Sequence, residues 1–219
     1  MAIKKQAKPK KDESEVKENI QSQLLVPLDL YLKAGIHIGT KFKNKSIEEF
    51  IFKTKQNGLK IMDIEKINEK ILLAAKLLSD YEPGEIILVC RRETGHKPVK
   101  KLAEITGMRC ITGRYLPGTI TNPEFSFFTE PKIMIVADPW HDKQAIKGAI
   151  LSNIPVIGLL GTNNSTEYVD FAIPCNNKSK KSLPLVYYLL GREYLKLKGI
   201  IKSDEEYNFT LEDFTDENL

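Results

Sequence analysis

The side chains best suited to catalysis or metal binding lie close together in the sequence at Asp138, His141 and Asp142. Two carboxylates and an imidazole can hold a metal ion or act as an acid–base pair. However, His141 and Asp142 are adjacent, and no second cluster supplies further ligands. The structural alternative is that Asp138 and Pro139 make a turn while Asp142 caps the next helix. We favour this alternative and expect no catalytic residue, no metal and no cofactor.

Motifs of the common nucleotide-binding and hydrolytic sites are missing from the sequence. It contains no GxGxxG, no GxxxxGK[ST] and no GxSxG. Cys90, Cys110 and Cys175 lie far apart, without a CxxC pair, so we expect buried free thiols and neither zinc ligands nor disulfides. A small-molecule enzyme that uses the ends of its strands remains a second hypothesis.

Basic residues form several clusters that indicate a polyanionic partner. The net charge is +4, yet residues 203–219 contain seven acids and no base, so the rest of the chain is considerably more basic. Such lysines contact phosphates and give affinity more than base readout. A solvated surface is the alternative for any one cluster, but several clusters in one fold favour RNA. The lysines concerned are Lys41, Lys43, Lys45, Lys97, Lys100, Lys101, Lys178, Lys180 and Lys181.

Composition divides the chain into three parts. Residues 1–23 are a low-complexity basic arm that we expect to be flexible, residues 24–201 form a single α/β domain, and residues 202–219 are an acidic tail. The arm and the tail could also join the chain to other proteins. The N-terminal lysines are not followed by an apolar stretch, and no apolar run approaches the ~20 residues of a membrane span, so we expect a cytoplasmic protein.

Alternating strand and helix patterns predict the elements that position these residues. Residues 27–35 have helical spacing, Asn57-Gly58 indicates a hairpin turn, and Asp63 is placed to cap a helix. Further on, apolar strand-like runs alternate with helices of 10–15 residues. The predicted fold is therefore α/β: an open, mainly parallel, doubly wound (flavodoxin-like) sheet of about five strands with helices on both faces, plus an N-terminal hairpin. The predicted strands are 85–90, 109–112, 132–138, 154–160 and 169–174, and the later helices are 96–106, 142–152 and 183–198.

The working surface of such a sheet lies beyond the carboxyl ends of its strands. Helix N-termini at this edge also favour phosphate oxygens. Besides the lysines, the loops predicted to meet there contain Arg91, Arg92, His96, Arg114, Asn176 and Asn177.

Several stretches resemble one known family. They are LKAGIHIG (32–39), RRETGHKPV (91–99), GRYLPGTITNP (113–123), DPW with DKQAI and NIPV (138–156), and VDFAIPCNNK (169–178). Together they resemble small-subunit ribosomal protein two in its archaeal form, over about residues 27–201. The resemblance implies a structural component of the small ribosomal subunit, a ribonucleoprotein, that binds ribosomal RNA and neighbouring ribosomal proteins in translation.

The resemblance also bears on individual residues. Pro117, Gly118, Thr119 and Asn122 belong to a loop that we predict to contact RNA, although it could merely cross the edge of the sheet. His37 is a further candidate, or a packed histidine. The sequence departs from the family at Gly148, where glutamate is usual, and at residues 161–166, where an acidic loop is usual. It also has no room for the bacterial coiled-coil insertion.

Overall fold

A short helix and a hairpin open the fold in the computed structural model, which describes residues 24–215. Helix α1 (Leu28–Ala34) ends at Gly35, whose φ of 66° is the left-handed conformation that glycine adopts without strain. Strands β1 (Ile51–Thr54) and β2 (Lys60–Met62) pair antiparallel around the turn at Gly58. The predicted N-terminal hairpin is therefore confirmed.

Five parallel strands form the main sheet, namely β3 (Ile86–Cys90), β4 (Arg109–Thr112), β5 (Ile133–Val136), β6 (Val156–Leu160) and β7 (Phe171–Pro174). Their order across the sheet is β4-β3-β5-β6-β7. Counted along the chain within this sheet, the order is 2-1-3-4-5, the flavodoxin-like topology. Strands β3, β5 and β6 are buried at every residue, because helices or loops cover both of their faces. The predicted fold class is confirmed.

Helices pack on both faces of this sheet. Helices α2 (Ile64–Ser79), α3 (His96–Thr106) and α5 (Ser182–Leu197) share the larger apolar core. Helix α4 (Lys143–Leu151) and the loop 113–131 cover the opposite face. The cap predicted at Asp63 is present, since its carboxylate accepts a hydrogen bond from the backbone N–H of Glu65 at 3.0 Å. None of the helices within residues 24–215 is long and apolar enough to cross a membrane.

The acidic C-terminal segment packs against the domain as far as the structure describes it. Phe214 is fully buried, and Tyr207 joins the same core. The backbone carbonyl of Thr215 accepts a hydrogen bond from Lys97 Nζ at 2.6 Å. Residues 202–215 therefore contribute to the core despite their charge. The arm predicted at residues 1–23 and the last four residues of the tail lie outside the described residues.

The three cysteines are free thiols, but they differ in burial. Cys90 and Cys175 are buried, as predicted, while Cys110 is exposed, so the prediction of burial is wrong for this residue. Cys110 lies on β4, which has a neighbouring strand on one side only. An edge strand of this kind is covered less completely than the strands at the centre.

Candidate nucleic-acid interface

The loops that follow β3, β5 and β6 meet around the carboxylate of Asp138, which is 1% exposed. Arg92 Nη2 donates to Asp138 Oδ2 at 2.6 Å, and His141 Nδ1 lies 2.9 Å from the same oxygen. Asn164 Nδ2 donates to the other oxygen, Oδ1, at 2.8 Å, as does the backbone N–H of Trp140 at 3.1 Å. One carboxylate thus joins three loops that lie far apart in sequence.

This carboxylate is an ionised structural anchor. Burial would raise the pKa of Asp138, but hydrogen bonds from Arg92 and Asn164 and the charge of Arg92 hold it below its ordinary value. Its oxygens are occupied, and no group of three His, Cys, Asp or Glu side chains in the described part of the chain is placed to hold a metal ion. The turn predicted at Asp138 is present, because Trp140 bonds back to it.

The side chain of Asp142 does not cap α4, so that part of the structural alternative is wrong. Instead, Oδ1 accepts a hydrogen bond from the backbone N–H of Arg91 at 2.9 Å, and Oδ2 accepts one from that of Asp138 at 3.3 Å. Burial raises the pKa of Asp142 to about 7, although these two N–H groups lower it. Asp142 therefore links the ends of β3 and β5.

Asn177 lies in the interior at this edge, with 1% of its surface exposed. Its Nδ2 donates to the carbonyl of Leu159 at 3.0 Å and to Asn164 Oδ1 at 3.2 Å. The same Asn164 oxygen accepts the backbone N–H of Gly161 at 2.9 Å. Asn177 and Asn164 thus order the loops after β6 and β7, and Asn177 is not placed for contact with a partner.

Thr162, which is fully buried, holds a basic segment of the N-terminal region at the same edge. Its Oγ1 accepts the backbone N–H of Thr40 at 2.8 Å, and its carbonyl accepts that of Asn44 at 2.9 Å. A Cβ at Gly39 would lie 2.3 Å from Thr162 Cγ2, so only glycine permits this approach. The segment held in this way presents Lys41, Lys43 and Lys45, all exposed.

Thr162 and Asn164 were both missed by the sequence analysis. Their loop departs from the family pattern, and its one signal was a run of polar residues directly after a buried strand. That signal does not distinguish a loop that contacts a ligand from one that fastens other loops.

A crevice of about 440 Å³ opens where the order of the strands reverses, between the loops after β3, β4 and β5. Arg91 and Arg114 line it from two loops, together with His141, and both arginines are exposed. Pro117, from the loop 113–123, also lies at its border. The crevice therefore offers two guanidinium groups, which suit the binding of phosphate oxygens.

Other predicted residues shape the loops. Thr119 is buried, and its hydroxyl donates to the carbonyl of Leu116 at 2.7 Å. The Asn176 amide donates to the carbonyl of Gly35 at 3.1 Å. His37 is half-buried, and burial lowers its pKa.

The structure thus separates the predicted residues by exposure. Exposed are Lys41, Lys43, Lys45, Arg91, Lys97, Lys100, Arg114, Pro117, Asn122, Lys178 and Lys180; half-buried are His37, Arg92, His96, Lys101, Gly118, Asn176 and Lys181; buried are Thr119 and Asn177.

The lysines of α3 face the acidic C-terminal segment. Lys97 bonds to the carbonyl of Thr215, and Lys101 Nζ lies 5.4 Å from the ring centre of Phe209. Hydrogen bonds from Thr210 lower the pKa of Asp213, and the charges of Lys101 and Lys97 lower it further. This basic cluster is therefore partly neutralised within the chain, and among the lysines held by Thr162 the same is true of Lys43, which pairs with Glu48.

The fold, together with the loops at the carboxyl ends of its strands, defines a flavodoxin-like α/β protein that presents basic loops at one edge of its sheet. The family model described as "Ribosomal protein S2" matches residues 31–128 and 126–196. "Small ribosomal subunit protein uS2" of Nanoarchaeum equitans is 46% identical over 190 residues, covering 87% of this chain and 94% of the relative. The proteins of the same name from Thermoplasma acidophilum and Methanococcus maripaludis are 44% and 45% identical, covering 89% and 90% of this chain and 98% and 88% of the relatives. The chain belongs to the ribosomal protein S2 family, in its archaeal form.

Proposed function

We propose that the protein is a structural constituent of the small ribosomal subunit that binds ribosomal RNA through the carboxyl edge of its sheet. The observation that carries this proposal is the convergence of basic side chains from separate loops on one edge, all of them exposed except the half-buried Lys181. We call these residues the carboxyl-edge surface. Its members are Lys41, Lys43, Lys45, Arg91, Arg114, Lys178, Lys180 and Lys181.

The arrangement suits the backbone of a folded RNA. Exposed lysines and arginines on loops neutralise phosphates spread over a wide surface. The backbones of the loops that carry Arg91 and Lys41 are held by buried polar side chains, namely Asp142 and Thr162, so little backbone ordering entropy is lost on binding.

The same contacts argue against a chemical reaction at this edge. Asp138 is ionised and hydrogen-bonded on both oxygens, and His141 is engaged with it. A general base must be within reach of a substrate proton, and this carboxylate is enclosed instead. We therefore propose a protein with no catalytic activity, which works in the cytoplasm within the small subunit and contacts other ribosomal proteins there.

Assembly into small subunits tests this proposal. Replacing Arg91, Arg114 and Lys178 with alanine removes three exposed basic side chains of the carboxyl-edge surface. Each lost phosphate contact is expected to reduce the slope of log binding constant against log salt concentration by about one unit. Lys132→Ala is the matched control, because Lys132 lies at the opposite edge and pairs with Glu85 at 2.5 Å. Binding and its salt dependence are measured with purified small-subunit RNA.

Equal effects of the control and the triple variant would refute the assignment of RNA to this edge. The triple variant Lys178→Ala, Lys180→Ala, Lys181→Ala should weaken assembly into small subunits with little loss of domain stability. Equal losses of assembly and of stability would refute the assignment of this loop to RNA. A thermal shift with nucleotides or sugar phosphates would instead favour a small-molecule site in the crevice.

A further inference from the structure

A second surface lies at the opposite, amino edge of the sheet and has a different character. Two shallow grooves of about 510 and 340 Å³ meet there at Ile154, which lines both. Phe128 and Leu151 border the first groove, and Ile150 and Tyr168 border the second. Leu151 is 78% exposed and Tyr168 is 61% exposed. The grooves thus combine exposed apolar side chains with polar groups, a mixture that is typical of interfaces between proteins.

The position of these grooves follows from the strands that start beside them. Pro131 lies just before β5, Ile154 just before β6, and Asp170 just before β7. Asp170 Oδ2 also accepts the backbone N–H of Val156 at 2.8 Å, which fixes the second groove to the sheet. In a parallel sheet the amino ends lie at the edge opposite to the carboxyl ends, so the grooves face away from the carboxyl-edge surface.

The charge of this surface is opposite to that of the carboxyl edge. Among the described residues that line the grooves, Glu130 and Asp170 are the charged ones, and neither groove contains a lysine or arginine. Of the cations nearby, Lys132 is paired with Glu85, and Arg109 donates to the hydroxyl of Thr129 beside Glu130. Carboxylates repel RNA phosphates and attract lysine and arginine side chains, so the surface fits a basic protein and not RNA.

The backbone around the second groove is held in an uncommon conformation. Within residues 24–215, the non-glycine residues with positive φ are Asn153 at 53° and Tyr168 at 61°, and both line this groove. A bulky residue adopts such a φ only where its surroundings enforce it, and such strain concentrates at functional sites. Here the strained position carries an exposed aromatic side chain, the type that is enriched at the centre of protein interfaces.

We infer that the amino-edge surface, comprising Phe128, Glu130, Leu151, Ile154, Tyr168 and Asp170, docks a basic protein of the small subunit. The partner inserts apolar side chains into the two grooves and places lysine or arginine beside Glu130 and Asp170. This inference rests on the proposed function, since it requires a particle in which such a partner is present. It assigns RNA and protein to opposite edges of one sheet.

Site-specific photo-crosslinking in assembled small subunits tests the inference. The full-length protein carries benzoylphenylalanine at position 151 or, for comparison, at position 178. Position 151 is expected to give a crosslink that resists ribonuclease, disappears with protease, and yields by mass spectrometry a lysine- and arginine-rich peptide of another protein. Position 178 is expected to give a crosslink that ribonuclease removes.

The outcomes separate the two proposals. A crosslink from position 151 to RNA, to a second copy of this chain, or to nothing, while position 178 crosslinks RNA, would overturn the docking site alone. Loss of the RNA crosslink at position 178, with a basic protein still bound at position 151, would overturn the RNA surface and support the docking site.

A charge reversal sharpens the test. With the probe at position 168, Glu130→Lys should reduce the yield of the protein crosslink roughly tenfold, because it places a like charge against the basic partner. Glu69→Lys is the matched control, since Glu69 is exposed on α2, which packs on the other face of the sheet. Equal yields from both variants would reject the role assigned to the acidic rim.

Discussion

Arg91 and Arg92 are adjacent in sequence, but the structure gives them opposite roles. Replacing Arg92 with alanine removes the guanidinium that donates to Asp138 at 2.6 Å, and the Asp138 side chain is only 2% exposed in the native fold. Breaking a buried ion pair costs about 3–5 kcal/mol. Because Arg92 is 21% exposed and Asn164 still bonds to Asp138, we expect a loss of about 2–3 kcal/mol in the free energy of unfolding.

Urea unfolding followed by circular dichroism measures this loss. At a typical m-value of about 2 kcal/mol/M, the midpoint of Arg92→Ala should fall by about 1–1.5 M. Arg91→Ala is the control, and its free energy of unfolding should stay within about 0.5 kcal/mol of the original. The reason is that Arg91 reaches Asp142 through its backbone N–H, which alanine retains.

RNA binding by the same two variants provides the opposite comparison. Arg91→Ala should reduce the salt dependence of binding by about one phosphate contact, because its exposed guanidinium lines the crevice. If Arg92→Ala unfolded at the original midpoint and lost RNA affinity instead, Arg92 would be a surface contact, and the reasoning about the Asp138 anchor would be refuted.

Three further predictions concern the stability of the domain. The raised pKa of Asp142, about 7, means that the folded chain keeps a proton that the unfolded chain releases between about pH 4 and 7. Stability should therefore fall as the pH rises through this window, and Asp142→Asn should flatten that fall in urea midpoints taken at several pH values; an unchanged slope would exclude Asp142 as its source. Phe214→Ala should lower the free energy of unfolding by about 3–5 kcal/mol in the same assay, whereas Phe42→Ala, at a residue that is 79% exposed, should change it little. Similar losses in the two variants would show that the C-terminal segment does not pack against the domain in solution. Gly148→Ala should lower the melting temperature by several degrees, since its new Cβ would lie 3.0 Å from Tyr115 Oη, and adding Tyr115→Phe should restore part of the loss; no restoration would place the strain elsewhere.

Much of the fold was predictable because its signals are local. Gly35 and Gly107 end helices in the left-handed conformation, and Asp63 caps one through its own carboxylate. Continuous apolar runs marked β3, β5 and β6 as strands covered on both faces. From the order of elements, the rule that parallel strands end at one edge then predicted where the basic loops would gather.

Individual side chains at the site were not predictable in the same way. Whether an arginine faces solvent or a carboxylate depends on loops that the chain brings together only on folding. Arg92 and Asp138 are 46 residues apart, and Thr40 and Thr162 are 122 residues apart. Asn177, although it lies in a motif that resembles an RNA contact, is buried for the same reason.

The sequence by itself thus determined the fold class, the family and the edge that collects basic residues, since these follow from local patterns and from the order of elements. Only the tertiary structure decided that Arg91 is exposed while Arg92 anchors Asp138, that Thr162 holds the lysines of residues 41–45, and that Phe214 joins the core. Burial and pairing are properties of the assembled loops, and no stretch of sequence contains both partners of such a contact.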